Sequence, residues 1–306
     1  MPIGGSRIYH VNTNCTDLVA SKRFYEALGL RATTHTVPSR PQPGVAFGLA
    51  QVAWDAWMLQ GDVGFDGLSL DLLQWTVPKP TGAPPATPWA LGLHHLVITS
   101  PTIEATIADG LATGGTLVAG PLPIVGPTGP PVATAVVHDP DGVAVQLEAG
   151  PDSRIARVVV NVTDLDVSVV YYRDVLGLDP VGRWDTHVTD GAVHGIEGAV
   201  ETSRADFADS GSQFGVSLVQ WHHHGTASGP RVRAANELGL FRMAWSTDDC
   251  ARDEAVVRAA GSVPFAPTGE LSVGDDLPLL EVLFWPGPDG ECLELIEATD
   301  RSGALS

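Results

Sequence analysis

The chain of 306 residues carries 36 acidic and 17 basic side chains, a formal charge of −19, with a pI near 4.7. Lys22 and Lys79 are its only lysines and its arginines are scattered, so it offers neither the clustered cations that neutralise nucleic-acid phosphates nor a polybasic membrane patch. Nucleic-acid and membrane partners are thereby excluded, and the acidity reads first as solubility.

A hydrophobic content of 44% suffices for packed cores. No apolar run reaches the roughly 20 residues of a membrane helix, and the segment MPIGGSRIYHV lacks the regions of a secretory signal, so a cytoplasmic protein is expected. Cys15, Cys250 and Cys292 are far apart and form no CxxC pair; they read as buried small hydrophobes, not as a disulfide framework or zinc thiolates. The 34 glycines and 24 prolines follow no period, which predicts many short strands joined by turns.

In chain order, the first predicted element is a strand ending at Asn14, with Tyr9, Val11 and Thr13 on one face and His10, Asn12 and Asn14 on the other. A helix follows, with Asp17 as N-cap, an apolar stripe of Leu18, Phe24, Tyr25 and Leu28, and Gly29 closing it in the left-handed conformation. Strands continue to Trp75, and the proline-rich stretch 79–88 leads to a second strand–helix–strands unit over 92–149. The PDG turns at 140–142 and 288–290 precede the last strand of their units.

The whole pattern then repeats. IYHVNTNCTDLVASKRFYEALGL (8–30) returns as IARVVVNVTDLDVSVVYYRDVLGL (155–178), and LSLDLLQW, LGLHHLVI and DPDGVAVQLEA return as VSLVQW, LGLFRMAW and GPDGECLELIEA. The chain is therefore expected to hold two copies, 1–150 and 151–306, each of two βαβββ modules.

The pattern H-V-x-x-N-x-T-D-L-x-x-S-x-x-F-Y-x-x-L-G-L, followed by DPDG and an alternating strand, resembles the vicinal oxygen chelate superfamily. That superfamily includes glyoxalases, methylmalonyl-CoA epimerases, extradiol dioxygenases, fosfomycin-resistance enzymes and bleomycin-binding proteins. The resemblance implies an α+β fold in which four βαβββ modules pair into two half-open barrels, a glyoxalase-like duplicated fold. It also implies metal ligands on the first and last strands of each module, where alternation turns polar residues into the cup. Carried over position by position, these are His10, Asp71, His95 and Gln146, with Glu148 two residues beyond Gln146 on the same face. Gln146 as ligand with Glu148 as free base, and Glu148 as ligand through a strand bulge, stand as equal alternatives. The corresponding positions in the second copy are Arg157, Ser217, Arg242 and Glu294. Guanidinium groups do not ligate metals, so 1–150 is expected to be the metal-bearing domain and 151–306 the metal-free one. The arginines flanking Glu294 would fill the empty place with a buried salt bridge or cup an anion.

Pairing of modules one and two is favoured because it gathers both histidines. Pairing of one with four would instead assemble His10, Asp71 and Glu294 beside Arg242. His94 and the run His222, His223, His224 read as structural or solvated, and Asn14 as structural because Asn161 repeats it. Trp54, Trp57, Trp75 and Trp89 read as core or cup lining.

The ligand set admits Mn, Fe, Co, Ni or Zn. The function implied is a metal-dependent epimerase or isomerase of a polar α-hydroxyketone, a keto-sugar or a keto-cyclitol of the valiolone type in antibiotic biosynthesis, with Glu148 as general base. Two rivals remain: an Fe(II) ring-cleaving dioxygenase, and a metal-free protein that sequesters a drug or natural product. A small-molecule substrate is the expected partner, and a homodimer is left open.

Overall fold

The computed structural model describes residues 2–4, 7–125, 130–209, 213–222 and 229–299. His223 and His224 lie outside the described residues. The four expected βαβββ modules are present. Module one comprises β1 (Arg7–Asn14), α1 (Leu18–Ala27), β2 (Arg31–Thr36), the two-residue β3 (Gln42–Pro43), β4 (Gln51–Gln60) and β5 (Ser69–Val77). Module two comprises β6 (Gly92–Ser100), α2 (Ile103–Ala112), β7 (Thr116–Ile124), β8 (Val132–His138) and β9 (Ala144–Ala149). Module three comprises β10 (Arg154–Asn161), α3 (Leu165–Asp174), β11 (Asp179–Asp190), β12 (Ala199–Ala208) and β13 (Gly215–His222). Module four comprises β14 (Gly239–Ser246), α4 (Cys250–Ala259), β15 (Gly269–Ser272), β16 (Leu279–Pro286) and β17 (Cys292–Thr299).

Local chemistry explains the punctuation. Asp17 caps α1 by accepting from the Val19 and Ala20 N–H groups, and Asp164 caps α3 from Val167 N–H. Gly29 ends the first helix at φ +96°, and Gly142 and Gly290 turn their hairpins at φ +89° and +83°, conformations that disfavour any residue with a Cβ. Leu18, Phe24, Tyr25 and Leu28 are buried as the helical stripe requires. All three cysteines are free and buried.

Module pairing departs from the favoured expectation. One sheet runs β15-β16-β17-β14-β1-β5-β4-β2, with β3 on β4, and the other runs β11-β12-β13-β10-β6-β9-β8-β7. Module one therefore joins module four through the antiparallel β1/β14 pair, and module two joins module three through β6/β10. Within a module, the first strand lies parallel to the last, as β1 does to β5. The repeats 1–150 and 151–306 are thus copies in sequence, while each half-open barrel draws on both of them.

Two apolar clusters result. The larger runs through all four helices and the faces they cover on both sheets; the smaller, including Phe47, Trp54, Trp75 and Phe284, fills part of the concave side of the first sheet. Asn14 and Asn161 hold the connections in place. Asn14 donates to the Ala235 and Glu237 carbonyls and accepts from Trp75 Nε1, and Asn161 donates to the Pro88 and Ala90 carbonyls and accepts from Trp221 Nε1.

Successive modules are stitched by buried phenol–carboxylate contacts. Tyr25 of α1 donates to Asp139 at 3.1 Å, and its repeat mate Tyr172 of α3 donates to Glu291 at 2.9 Å. The acid has changed place, from the first residue of DPDGV to the last of GPDGE. A Cβ on Gly287 would sit 2.2 Å from Glu291 Oε1, so the two positions are mutually exclusive seats for the carboxyl. Burial pushes the Asp139 and Glu291 carboxyls each up to about 7.

A carboxyl raised in the folded state contributes stability that is complete below its unfolded pKa and is lost as pH rises through the folded one. Unfolding free energy is therefore expected to decline from about pH 4 to about pH 7 on account of these two groups, and the Asp139→Asn/Glu291→Gln variant to lose most of that decline. Urea titrations across the range check this; an unchanged slope in the double variant would refute the assignment.

Candidate functional site

Each sheet curls into a cup, and the residues at matching places in the four modules meet there. In the first cup β1 contributes His10 and Asn12, β5 Asp71, β14 Arg242 and β17 Glu294. Registry sets this: Asn12 lies beside Asp71, and Ala244, two residues beyond Arg242, lies beside Glu294. Tyr9 lines the same cavity as His10, although strict alternation would send it to the other face. A register shift in β1 between Ile8 and His10 accounts for the difference.

Arg242 is the centre of this site. Its Nε donates to Glu294 Oε2 at 2.7 Å and its Nη2 to Asp71 Oδ2 at 2.7 Å; all three side chains are buried. Asn12 Nδ2 donates to Asp71 Oδ2 at 3.2 Å and to the Asp71 carbonyl at 3.0 Å. Burial pushes the Glu294 carboxyl up, but the Arg242 guanidinium and His10 outweigh it and hold it below the ordinary glutamate value. His10 Nε2 lies 3.4 Å from Glu294 Oε2 and 3.9 Å from Asp71 Oδ2, and neither ring nitrogen makes a hydrogen bond. Above this floor opens a cavity of about 580 Å³ with walls that include Trp54, Met58, Leu271, Leu280 and Ile296, and with Asp248 and Glu297 among its acidic residues.

The second cup is built from β6, β9, β10 and β13. It holds His95, Gln146 and Arg157 around a cavity of about 120 Å³. Glu148 is paired with Arg157 and accepts from Gln146 Nε2 at 2.7 Å. Ser217 accepts from Arg204 and donates to Asp206.

The expected set His10, Asp71, His95 and Gln146 is therefore divided. His10 and Asp71 lie in the first cup, and His95, Gln146 and the base candidate Glu148 lie in the second. The physical reason is that β1 bonds to β14 and β6 to β10, so the two histidine-bearing strands never share a sheet. In each cup a histidine strand instead faces an arginine strand. His94 donates to the Thr87 carbonyl, and His222, at the end of β13, bonds Ser203. Trp54 lines the first cup, Trp75 is core, Trp57 stacks on His35, and Trp89 meets Trp221 edge-on. Sequence reading passed over His187, His194 and Trp184, which line the second cavity from β11 and the turn after it; no repeated motif marks them.

The donor chemistry of the first cup does not fit a divalent ion. His10, Asp71 and Glu294 are competent ligands, but both carboxylates bind a guanidinium that is permanently charged and cannot ligate. In the second cup the last-strand positions are an amide and a hydroxyl, beside a charge-matched Arg157–Glu148 pair. Among the described residues no three His, Cys, Asp or Glu side chains form a group able to hold a metal ion.

Removing Arg242 leaves two buried carboxylates uncompensated. Arg242→Met is expected to cost about 3–5 kcal/mol, whereas Arg242→Met/Asp71→Asn/Glu294→Gln should recover most of it, because a neutral, apolar-compatible cluster replaces a buried ion triad with little net loss. Urea denaturation of both variants decides it.

Residues 154–231 match the sequence model of the Glyoxalase/Bleomycin resistance protein/Dioxygenase superfamily. The chain superposes on glyoxalase I from Zea mays with a TM-score of 0.66 at 18% identity, covering 95% of this chain and 92% of the maize protein. It superposes on a proposed dioxygenase from Bacillus subtilis with a TM-score of 0.57 at 12% identity, covering 97% and 87%. No curated protein sequence matches it. The architecture is thus the duplicated glyoxalase-like fold, and module three carries that superfamily's sequence signature.

Proposed function

We propose that the protein binds an amphipathic organic molecule bearing a cationic nitrogen in the first cup, without a divalent ion, as a sequestering protein for a drug-like or natural-product ligand. The observation that carries this reading is the Asp71–Arg242–Glu294 cluster at the floor of an apolar-walled cavity of about 580 Å³. That volume lies within the range of small-molecule sites. Asp71 and Glu294 share one guanidinium, and Asp248 and Glu297 add further carboxylates along the cavity. Tyr9 and Trp54 supply aromatic faces that attract a cation further.

The test is elemental analysis of the purified protein together with fluorescence titration, at neutral pH, of arylalkylamines, which are protonated there, and their N-acetylated, uncharged counterparts. The amines should bind about tenfold more tightly, ~1.4 kcal/mol, with no effect of chelator and only trace metal. Asp71→Asn should abolish the preference for charge. Stoichiometric metal, or binding lost on chelation, would count against the reading.

A second reading is favoured by His10, whose ring nitrogens lack hydrogen bonds between two carboxylates. It is the metal-dependent epimerase or isomerase of a polar α-hydroxyketone, and it requires Arg242 to withdraw. Metal-loaded protein in deuterated water should then place deuterium at the α-carbon of a keto-sugar or keto-cyclitol. A ring-cleaving dioxygenase is supported less, since His10 and His95 belong to different cups and leave neither with the two-histidine, one-carboxylate set at the expected positions.

A further inference from the structure

The two cups differ in the sign of the charge that lines them. The chain carries 36 acidic side chains against 17 basic ones, and the first cavity follows that balance with Asp71, Asp248, Glu294 and Glu297. The second cavity departs from it. Among the described residues that line it there is no aspartate or glutamate, while Arg157 and Arg204 both reach it. The same two arginines line a shallow neighbouring hollow of about 330 Å³. They therefore form the boundary between that hollow and the chamber of about 120 Å³.

The countercharges stand off the chamber. Arg157 pairs with Glu148 through Nη2. Arg204 binds Asp206 through Nε at 2.7 Å and the buried Ser217 hydroxyl through Nη2 at 3.1 Å. Neither Glu148 nor Asp206 lines the chamber, so each pair presents its positive end there. No described residue accepts from Nη1 of either arginine, and, unlike Arg157 Nε, neither Nη1 is sealed from solvent. Register brings the two groups to one stretch of β13: Arg157 lies beside Gly215, and Ser217, which holds Arg204, is two residues further along. The walls are apolar, with Trp184, Trp221, Val193, Val200 and Val219, and Arg204 Cζ lies 5.5 Å from the centre of the Trp184 ring. The volume approaches that of a ~150 Å³ apolar cavity that accepts benzene.

We propose that the second cup is a separate site for a compact aromatic carboxylate, its ring against the tryptophans and valines and its carboxylate on the unpaired Nη1 groups of Arg157 and Arg204. Hydrogen bonds between ionised partners are the strong ones, and the planar guanidinium suits a carboxylate. A chamber without carboxylates of its own adds no like-charge repulsion at close range. Ser217 and Asp206 are positioning residues: they hold Arg204 and leave its Nη1 to the ligand. The two cups thus select ligands of opposite charge.

Benzoate and benzamide, nearly equal in size, serve as probes on the whole chain at neutral pH. Binding is followed by the indole N–H resonances, assigned with Trp54→Phe, Trp184→Phe and Trp221→Phe. Benzoate should bind at least about tenfold more tightly than benzamide, should weaken as salt is raised, and should move the Trp184 and Trp221 resonances but not that of Trp54. Arg204→Gln keeps a donor for Ser217 and leaves Asp206 in partial contact with solvent. It should lose most of the preference for charge, with benzamide affinity held within about twofold. Equal affinities for the two probes in the wild type would overturn the proposal, as would benzoate shifts confined to Trp54. Both are read on the unaltered protein and decide the matter whether or not a variant folds. A preference that survives in folded Arg204→Gln would also overturn it. None of these outcomes bears on amine binding in the first cup, so the two readings fail independently.

Discussion

Everything distinctive about this molecule depends on one choice of strand partner. β1 bonds antiparallel to β14, and β6 to β10, so the first strands of modules one and four share a sheet and those of modules two and three share the other. Antiparallel pairing of two first strands brings their inward side chains face to face across the centre of a curled sheet. In this sequence those strands carry His10 against Arg242, and His95 against Arg157. Neither cup can therefore assemble the two histidines that a pairing of modules one and two would have supplied, and each receives a permanent cation at its centre.

The two cups answer that cation differently. In the first, carboxylates on both last strands grip Arg242, and the charge is absorbed into a buried triad beneath a large cavity. In the second, the last strands present Gln146 and Ser217, and the charge of Arg157 is met from the side by Glu148. A guanidinium in this position does some of what a divalent ion does, since it draws anionic oxygens together and orders the floor of the cup. It differs in being covalently attached, planar and fixed in charge. The cavity above it can then be shaped for a ligand without leaving a place for solvent or substrate on a metal.

Much of this architecture was legible in the residues. The duplicated TDL and PDG segments, the capping aspartates and the glycine stops are local signals, and local signals suffice for four modules of known order. Asn14 was read as structural because Asn161 repeats it, and its three hydrogen bonds agree. The site was less legible, because a metal-like constellation depends on which distant strands become neighbours, and alternation within a strand carries no information about that. His10, Asp71, Arg242 and Glu294 were all singled out, but their grouping came from topology. His94 and His95 illustrate a finer limit: two adjacent histidines on a strand give no hint that their Nδ1 atoms lie 2.8 Å apart while the first ring rests on a carbonyl in the preceding loop.

The exchange of Asp139 for Glu291 has a consequence for how such a duplicated chain can change. Both copies keep a tyrosine on the helix and a carboxyl beneath it, but the carboxyl enters from opposite ends of the turn, and Gly287 leaves the space that Glu291 occupies. An aspartate added at position 287 would require Glu291 to move from its place under Tyr172, and loss of Glu291 would strand the Tyr172 hydroxyl. The two turns are locked by epistasis into separate solutions of one packing problem. The halves of the chain have become complementary parts, and a segment transplanted from one to the other would carry its hydrogen-bonding demand without the neighbour that satisfies it.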